Sequence, residues 1–291
     1  MKFDLNKFLV QPNNKCKLKD FPTRVEDAPG KKELKKKYIK PNMKEMKDLQ
    51  AKLYAENTQA LLLCLQAMDT AGKDSAIKHV MSGVNPQGCK VVSFKQPSAI
   101  ELDHDYLWRI HKNVPPRGEI GIFNRSHYEE VLVTRVHNLV EKQQIPESLI
   151  DGNIWDRRFN QINNFETYLY ENGYKVVKIY LHLSKEEQTN RLVRRIDRPD
   201  KNWKFSVSDI EERQYWDNKY MMVYEDLLQH TSTEESPWYI VPADDKWFAR
   251  FVISEIVLKH LKEMDPHFPT LDKDIEKRLG ELREKLVNGE V

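Results

Sequence analysis

The chain has 291 residues, with 47 Lys+Arg against 45 Asp+Glu and a net charge of +2, so any anion site must come from local clustering and not from bulk charge. At 40% hydrophobic and 32% charged residues, near the upper length limit for one hydrophobic core, it reads as a globular α/β domain with appended helices. No apolar run approaches the roughly 20 residues of a membrane span, the N-terminus "MKFDLNKFLVQPNNKCKLKD" lacks the apolar core of a signal peptide, and three cysteines without metal spacing (Cys16, Cys64, Cys89) fit a reducing cytoplasm.

Residues 1–33 are polar and rich in proline and lysine, and read as an arm wrapped over the body. "ELKKKYIKPNMKEMKDLQAKLYAEN" (33–57) has helical spacing after Pro41. Then strands and helices alternate. "ALLLCLQ" (60–66) is an apolar strand, followed by a helix over 73–84. "CKVVSF" (89–94) is a strand, followed by a helix over 101–114 that Pro115-Pro116 stops. "EIGIFN" (119–124) is a strand, followed by helices over 126–142 and 159–173, the second ended by Gly173. "YKVVKIYLHL" (174–183) is a strand. The helix over 184–197 has Ser184 as cap and Glu187 completing a capping box. A long helix is expected over 208–230, then the strand "PWYIVPA" (237–243), a helix over 244–264 and a charged helical tail (271–289). Five apolar strands alternating with helices imply a parallel sheet covered on both faces, with ligands at the carboxyl ends of the strands.

Three stretches carry chemistry. "LLLCLQAMDTAGKDSAIKHV" (61–80) has the strand–turn–helix layout of a phosphate-binding loop. It departs from G-x-x-x-x-G-K-[ST] at Ala67 and Asp74. Its amides form an anion nest and Lys73 adds a point charge; the plainer alternative is an ordinary turn that uses Gly72. Asp69 resists that alternative, because a carboxylate beside phosphates needs a cation or an incoming acceptor. "GIFNRSHY" (121–128) ends the third strand. Asn124 there suits either a metal or its water, or a cap for the next helix, and Arg125 is placed to reach a transferring phosphoryl group. In "NRLVRRIDRPDKNWKFS" (190–206), Arg191, Arg194, Arg195 and Arg198 share one helix face, with Lys201 and Lys204 beyond. Such a face calls for a polyanion, unless acidic residues elsewhere pair with it. Arg117 and Lys95 are candidates for the mouth of the sheet. His104 and Asp105 read as surface residues, the Trp247, Phe248, Phe251, Ile256 stripe as core, and Lys31–Lys37 as a solvated helix start and not a nucleic-acid surface.

"AMDTAGKDSAIKHVMSGVNPQG", "GEIGIFNRSHYEEVLVTRVH", "RRFNQINNFE" and "KNWKFS...PWYIVPADDKWFAR" together resemble the polyphosphate kinase 2 family in order and spacing, over roughly residues 35–263. "FNRSHYE", with Asn124, resembles its class III branch. The resemblance implies a three-layer α/β/α P-loop kinase fold: a five-stranded parallel sheet in a domain over 34–263, a helical lid at about 187–213 and a C-terminal tail over 264–291. It implies transfer of phosphoryl groups from inorganic polyphosphate to AMP and ADP, giving ATP, with guanine nucleotides as further candidate acceptors. It implies Mg²⁺ held by Asp69 and Asn124, catalysis by Asp69, Lys73, Asn124 and Arg125, and a homodimer or homotetramer. Phosphates would be gripped by Thr70, Ala71, Gly72 and Asp74 of the loop, by Arg117, and by Arg191, Arg194, Arg198, Lys204 and Arg213 around the lid. Ala67 replaces a common glycine, which is tolerable if its φ is not positive. Two rivals remain open: an ATP-dependent kinase of the thymidylate kinase type, and a non-catalytic polyphosphate- or nucleotide-binding protein.

Overall fold

The computed structural model describes residues 3–200 and 202–290. Five strands form one sheet: β1 (Ala60–Ala67), β2 (Cys89–Ser93), β3 (Ile120–Asn124), β4 (Tyr174–His182) and β5 (Trp238–Pro242), in the order β2-β3-β1-β4-β5. Every pairing is parallel. All residues of the central β1 are buried, as its unbroken apolar run requires of a strand covered on both faces.

Side chains alternate across a strand, so β1 feeds two cores. Leu61, Leu63 and Leu65 meet α1 (Lys40–Glu56), α2 (Lys73–Val80) and α6 (Lys246–Met264) through Met46, Leu53, Ala76, Val80, Ile256 and Leu261. Leu62 and Cys64 face the other way, onto Phe94, Phe123 and Leu169. On that side α3 (Ile154–Glu171) and α5 (Met221–Thr231) join the segment after β3, packing Tyr128, Val131, Phe159, Ile162, Tyr180, Leu227 and Trp238. Two further long helices among the described residues are α4 (Lys185–Asp197) and α7 (Lys273–Asn288), and no residue of α7 is buried. The N-terminal arm shields the β5 edge: Val10 N–H donates to the Trp238 carbonyl at 2.9 Å, and Leu9 makes an antiparallel bridge to Tyr239. No helix among the described residues is long and apolar enough to cross a membrane.

Three expected helices are broken, each for a local reason. In place of one helix over 101–114 there are two short ones, Ala99–Leu102 and Trp108–His111. Between them Asp105 accepts from Leu107 N–H at 2.9 Å, a side-chain turn that competes with helix. Residues 126–142 split into His127–Glu130, Val133–Val136 and Leu139–Lys142. Val131, Val133, Thr134 and Val136 are β-branched, and Asn138 turns left-handed at φ 51°. Over 208–230 the helix tightens at Glu212–Tyr215 and widens at Trp216–Tyr220 before α5 begins. The widened turn sets Trp216 and Tyr220 into the core, while Tyr220 Oη donates to Glu212 at 2.7 Å. The capping box at Ser184 is half formed. Ser184 Oγ accepts from Glu187 N–H at 3.0 Å, but Ser184 N–H donates to Asp244 at 2.8 Å.

Gly121 in β3 leaves no room for a side chain, since an added Cβ would lie 2.7 Å from Pro115 Cγ and 3.2 Å from Leu62 Cδ1. Gly121→Ala is expected to cost about 1–3 kcal/mol of stability, measured by urea unfolding. An unchanged midpoint would mean that Pro115 moves aside freely.

Candidate active site

The segments leaving β1 and β3 go to opposite faces of the sheet, α2 to one and residues 126–136 to the other. Neighbouring parallel strands whose connections diverge leave a crevice at their carboxyl ends. The β1 loop and the β3 turn meet there.

The loop takes its shape from two left-handed residues, Thr70 at φ 66° and Gly72 at φ 105°. Ala67 is absent from the positive-φ residues, so its methyl group meets no backbone penalty. No side chain caps α2, which leaves its first amides as donors for an anion. Lys73 folds back across the loop and donates from Nζ to the Ala67 carbonyl at 2.9 Å. Burial lowers its pKa, with the Asp69 carboxylate opposing.

On the β3 side, Arg125 is held at φ 62°, and its N–H donates to the Leu65 carbonyl at 3.1 Å. Its Nη2 donates to Asp69 Oδ1 at 2.9 Å, and Nη1 lies 3.7 Å from Glu129 Oε2. Burial opposes the charge of Arg125, but Glu129 and Asp69 outweigh it and its pKa is raised. Asn124 does not cap the following turn; Ser126 does, accepting from Tyr128 N–H. Instead Asn124 Nδ2 donates to Asp74 Oδ1 at 2.8 Å and lies 3.4 Å from Ser93 Oγ, joining the ends of β2 and β3 to the first turn of α2. Asp69, Lys73, Asp74, Asn124 and Arg125 are thus brought together. Glu129 joins them unforeseen; only its position four residues after Arg125 hinted at it.

The arginine face divides. Arg191 is not an open phosphate ligand. It is 6% exposed, and its guanidinium donates to the carbonyls of Thr70 (3.2 Å), Ala71 (2.7 Å), Ala243 (2.6 Å) and Asp244 (3.0 Å) and to Glu187 Oε1 (2.8 Å). All five donors of a guanidinium are committed, so Arg191 holds the loop. Gln188, also unforeseen, does the same, donating to the Asp69 carbonyl at 3.1 Å. Arg194 is exposed and 3.7 Å from Glu187. Arg195 donates to Asp209 at 2.7 Å and Arg198 pairs with Asp200 at 2.8 Å. Arg213 donates to Thr189 Oγ1 at 2.9 Å, back onto α4. Burial and the Asp69 charge raise the pKa of Asp209. Lys201 and the side chain of Lys204 lie outside the described residues.

Arg117 is a correction. It precedes β3, where the parallel strands start, and donates to the carbonyl of Asn172, just before β4, at 3.1 Å. The length of β3, roughly 15 Å at 3.3 Å per residue, separates it from the crevice. Lys95, two residues beyond β2, is on the carboxyl side.

Among the described residues no three His, Cys, Asp or Glu side chains converge as a metal cage. The crevice offers oxygen: Asp69, Asp74 and the carbonyl of Asn124, whose amide nitrogen is spent on Asp74 and Ser93. Arg125 takes one Asp69 oxygen. Few hard ligands at a phosphate loop suit a small divalent cation that keeps waters and binds phosphate oxygens.

The polyphosphate kinase 2 family model matches residues 29–269. An ADP-polyphosphate phosphotransferase of Rhodopseudomonas palustris is 46% identical over 99% of this chain and 100% of its own length. An AMP/ADP-polyphosphate phosphotransferase of Meiothermus ruber is 41% identical, over 94% and 98% of the two chains. The crystal structure of a polyphosphate kinase 2 from Arthrobacter aurescens superposes with a TM-score of 0.80 at 38% identity, covering 97% of this chain and 93% of that one.

Burial raises the pKa of Glu129, with Arg125 and Lys73 opposing. A folded-state pKa above the unfolded one means that ionisation costs stability once pH rises past the unfolded carboxyl value of about 4.3. Glu129→Gln is therefore expected to raise the unfolding temperature at neutral pH and to change it little near about pH 3.5. Differential scanning fluorimetry across that range checks it; an equal fall at both ends would assign Glu129 a net stabilising role.

Proposed function

The chain belongs to the polyphosphate kinase 2 family, and we propose that it moves the terminal phosphoryl group of inorganic polyphosphate onto nucleoside mono- and diphosphates, taking AMP through ADP to ATP. The observation that carries this reading is the crevice itself: a phosphate cradle at β1 faces Arg125 at β3, with Asp69 between them.

The acceptor's phosphate oxygen is already ionised, so the chain need not supply a strong base. Its task is positioning and charge compensation. Anchoring the Ala71 carbonyl on Arg191 turns the Gly72 N–H the opposite way across its trans peptide, as a donor for phosphate oxygen. Lys73 stands beneath that donor set, 2.9 Å from the Ala67 carbonyl, and re-aims its ammonium to a phosphate. Arg125 exchanges part of its contact with Asp69 for the charge on the transferring group. Asp69 and Asn124 would hold Mg²⁺, with Asp74 beside them, and the bound ion supplies neutralisation of charge between donor and acceptor phosphates. The exposed Arg194 and Arg198, with Arg213 and Lys204, would carry the rest of a polyanionic donor. Guanine nucleotides are further candidate acceptors, and a homodimer or homotetramer is the assembly we expect. The free thiols of Cys16, Cys64 and Cys89 suit the cytoplasm.

The test is ATP formation from AMP, and separately from ADP, with polyphosphate and Mg²⁺. Both acceptors are expected to yield ATP. Lys73→Ala and Asp69→Asn are each expected to lower kcat by about 100-fold or more. ATP from ADP alone would remove the monophosphate activity. Nucleotide phosphorylation that needs ATP and ignores polyphosphate would favour the thymidylate kinase-type reading, and tight polyphosphate binding without turnover the non-catalytic one. Near-normal turnover in Asp69→Asn would end the role given to Asp69.

A further inference from the structure

Behind the β3 turn lies a charged cluster that the transfer chemistry does not touch. Lys178 of β4 is 0% exposed and Glu166 of α3 is 1% exposed. Lys178 Nζ donates to Glu166 Oε2 and to the Thr231 carbonyl, each at 2.5 Å. Glu166 Oε1 accepts from Tyr128 Oη at 2.7 Å and lies 3.2 Å from His127 Nε2. Lys178 and His127 outweigh burial and hold the Glu166 carboxyl below its ordinary range. An ionised Glu166 requires the proton of His127 on Nε2, and His127 Nδ1 has no partner. Lys178 also lies 5.6 Å from the ring centres of both Tyr128 and Trp238.

Burying a charge pair is expensive, and a well-packed apolar pair is often as stable. The position of this one matters. His127 and Tyr128 directly follow Arg125 and Ser126 and precede Glu129. Arg125 is in the left-handed region, which disfavours a side chain by roughly 1–2 kcal/mol and persists only where the surroundings over-determine it. On the β1 side it is held by its N–H on Leu65 and by Gln66 Nε2 at 3.3 Å from Ser126 Oγ. On the other side the turn is tied to α3 and β4 through His127 and Tyr128, onto Glu166, and just beyond them by Arg158, which donates to the Glu130 carbonyl at 2.9 Å.

We propose that the Glu166–Lys178 pair is a positioning device: through His127 and Tyr128 it fixes the turn that aims Arg125 at Asp69 and sets Glu129 beside it. This rests on phosphoryl transfer in the crevice. Removing the anchor then lowers kcat, since the turn samples other conformations, and leaves the KM values for polyphosphate and nucleotide near their original levels.

Three variants separate this role from a purely structural one. Glu166→Gln strands a buried ammonium and is expected to lose both thermal stability and kcat. Glu166→Gln/Lys178→Met removes both charges at similar volume and is expected to recover most of the unfolding temperature. Its kcat should stay roughly 10–100-fold down, with faster amide exchange over residues 125–130. Tyr128→Phe, which keeps the ring and drops one hydrogen bond, is expected to lower kcat by a few-fold. A double variant with normal kcat and unchanged exchange would overturn the proposal, and so would a fall confined to KM. If the double variant does not fold, unchanged kcat and exchange in Tyr128→Phe would overturn it. If the wild-type protein transfers no phosphate from polyphosphate, the functional reading fails on its own, and amide exchange still decides whether the pair fixes the turn.

Discussion

A buried guanidinium loses free energy for every N–H donor left unpaired, and Arg191 gives all five to oxygen, on four backbone carbonyls and one carboxylate. Two of those carbonyls belong to the β1 loop and two to the chain leaving β5. Loop, α4 and the approach to α6 are thereby locked as one unit. Fixing the loop carbonyls fixes where the loop amides point. Gly72 completes the constraint: its φ of 105° is closed to most side chains, and its would-be Cβ lies 3.8 Å from Arg191 Nη1. A smaller cation at position 191 could not satisfy the same set, because an ammonium has three donors and no planar fork.

The crevice sets three carboxylates, Asp69, Glu129 and Asp74, against two cations, Lys73 and Arg125. The carboxylate inside the loop has a partner there: Asp69 orients Arg125 across the gap between two strands. Asn124 in place of a carboxylate fits this excess of negative charge, since a further carboxylate beside Asp74 would repel it, whereas the amide donates to it at 2.8 Å.

The strands were legible because each is an apolar run bounded by turn residues, and the observed limits differ from the expected ones by a residue or so. The crevice was legible because Gly72-Lys73 and Asn124-Arg125 follow adjacent strands. The broken helices were not, because apolar spacing does not register a side-chain turn such as Asp105's or a bend that depends on distant partners, as at Glu212 and His137. Arg191 shows the deeper limit. Its spacing with Arg194, Arg195 and Arg198 is that of an exposed face, and nothing local says that this one turns inward under the loop. The Glu166–Lys178 contact joins α3 to β4 and was invisible for the same reason. Arg117 was misplaced by treating proximity to a strand as proximity to its carboxyl end.

The acidic partners that the sequence lacked near the arginine face are present in the structure, and their exposure decides what they mean. The side chain of Arg198 is 59% exposed and that of its partner Asp200 61%, while Arg194 is 62% exposed and only 3.7 Å from Glu187. Exposed pairs of this kind contribute about 0–1 kcal/mol, so a polyanion can exchange them at little cost. Arg195 and Asp209 are more enclosed, at 21% and 16%, and Asp209 feels the Asp69 charge across the crevice.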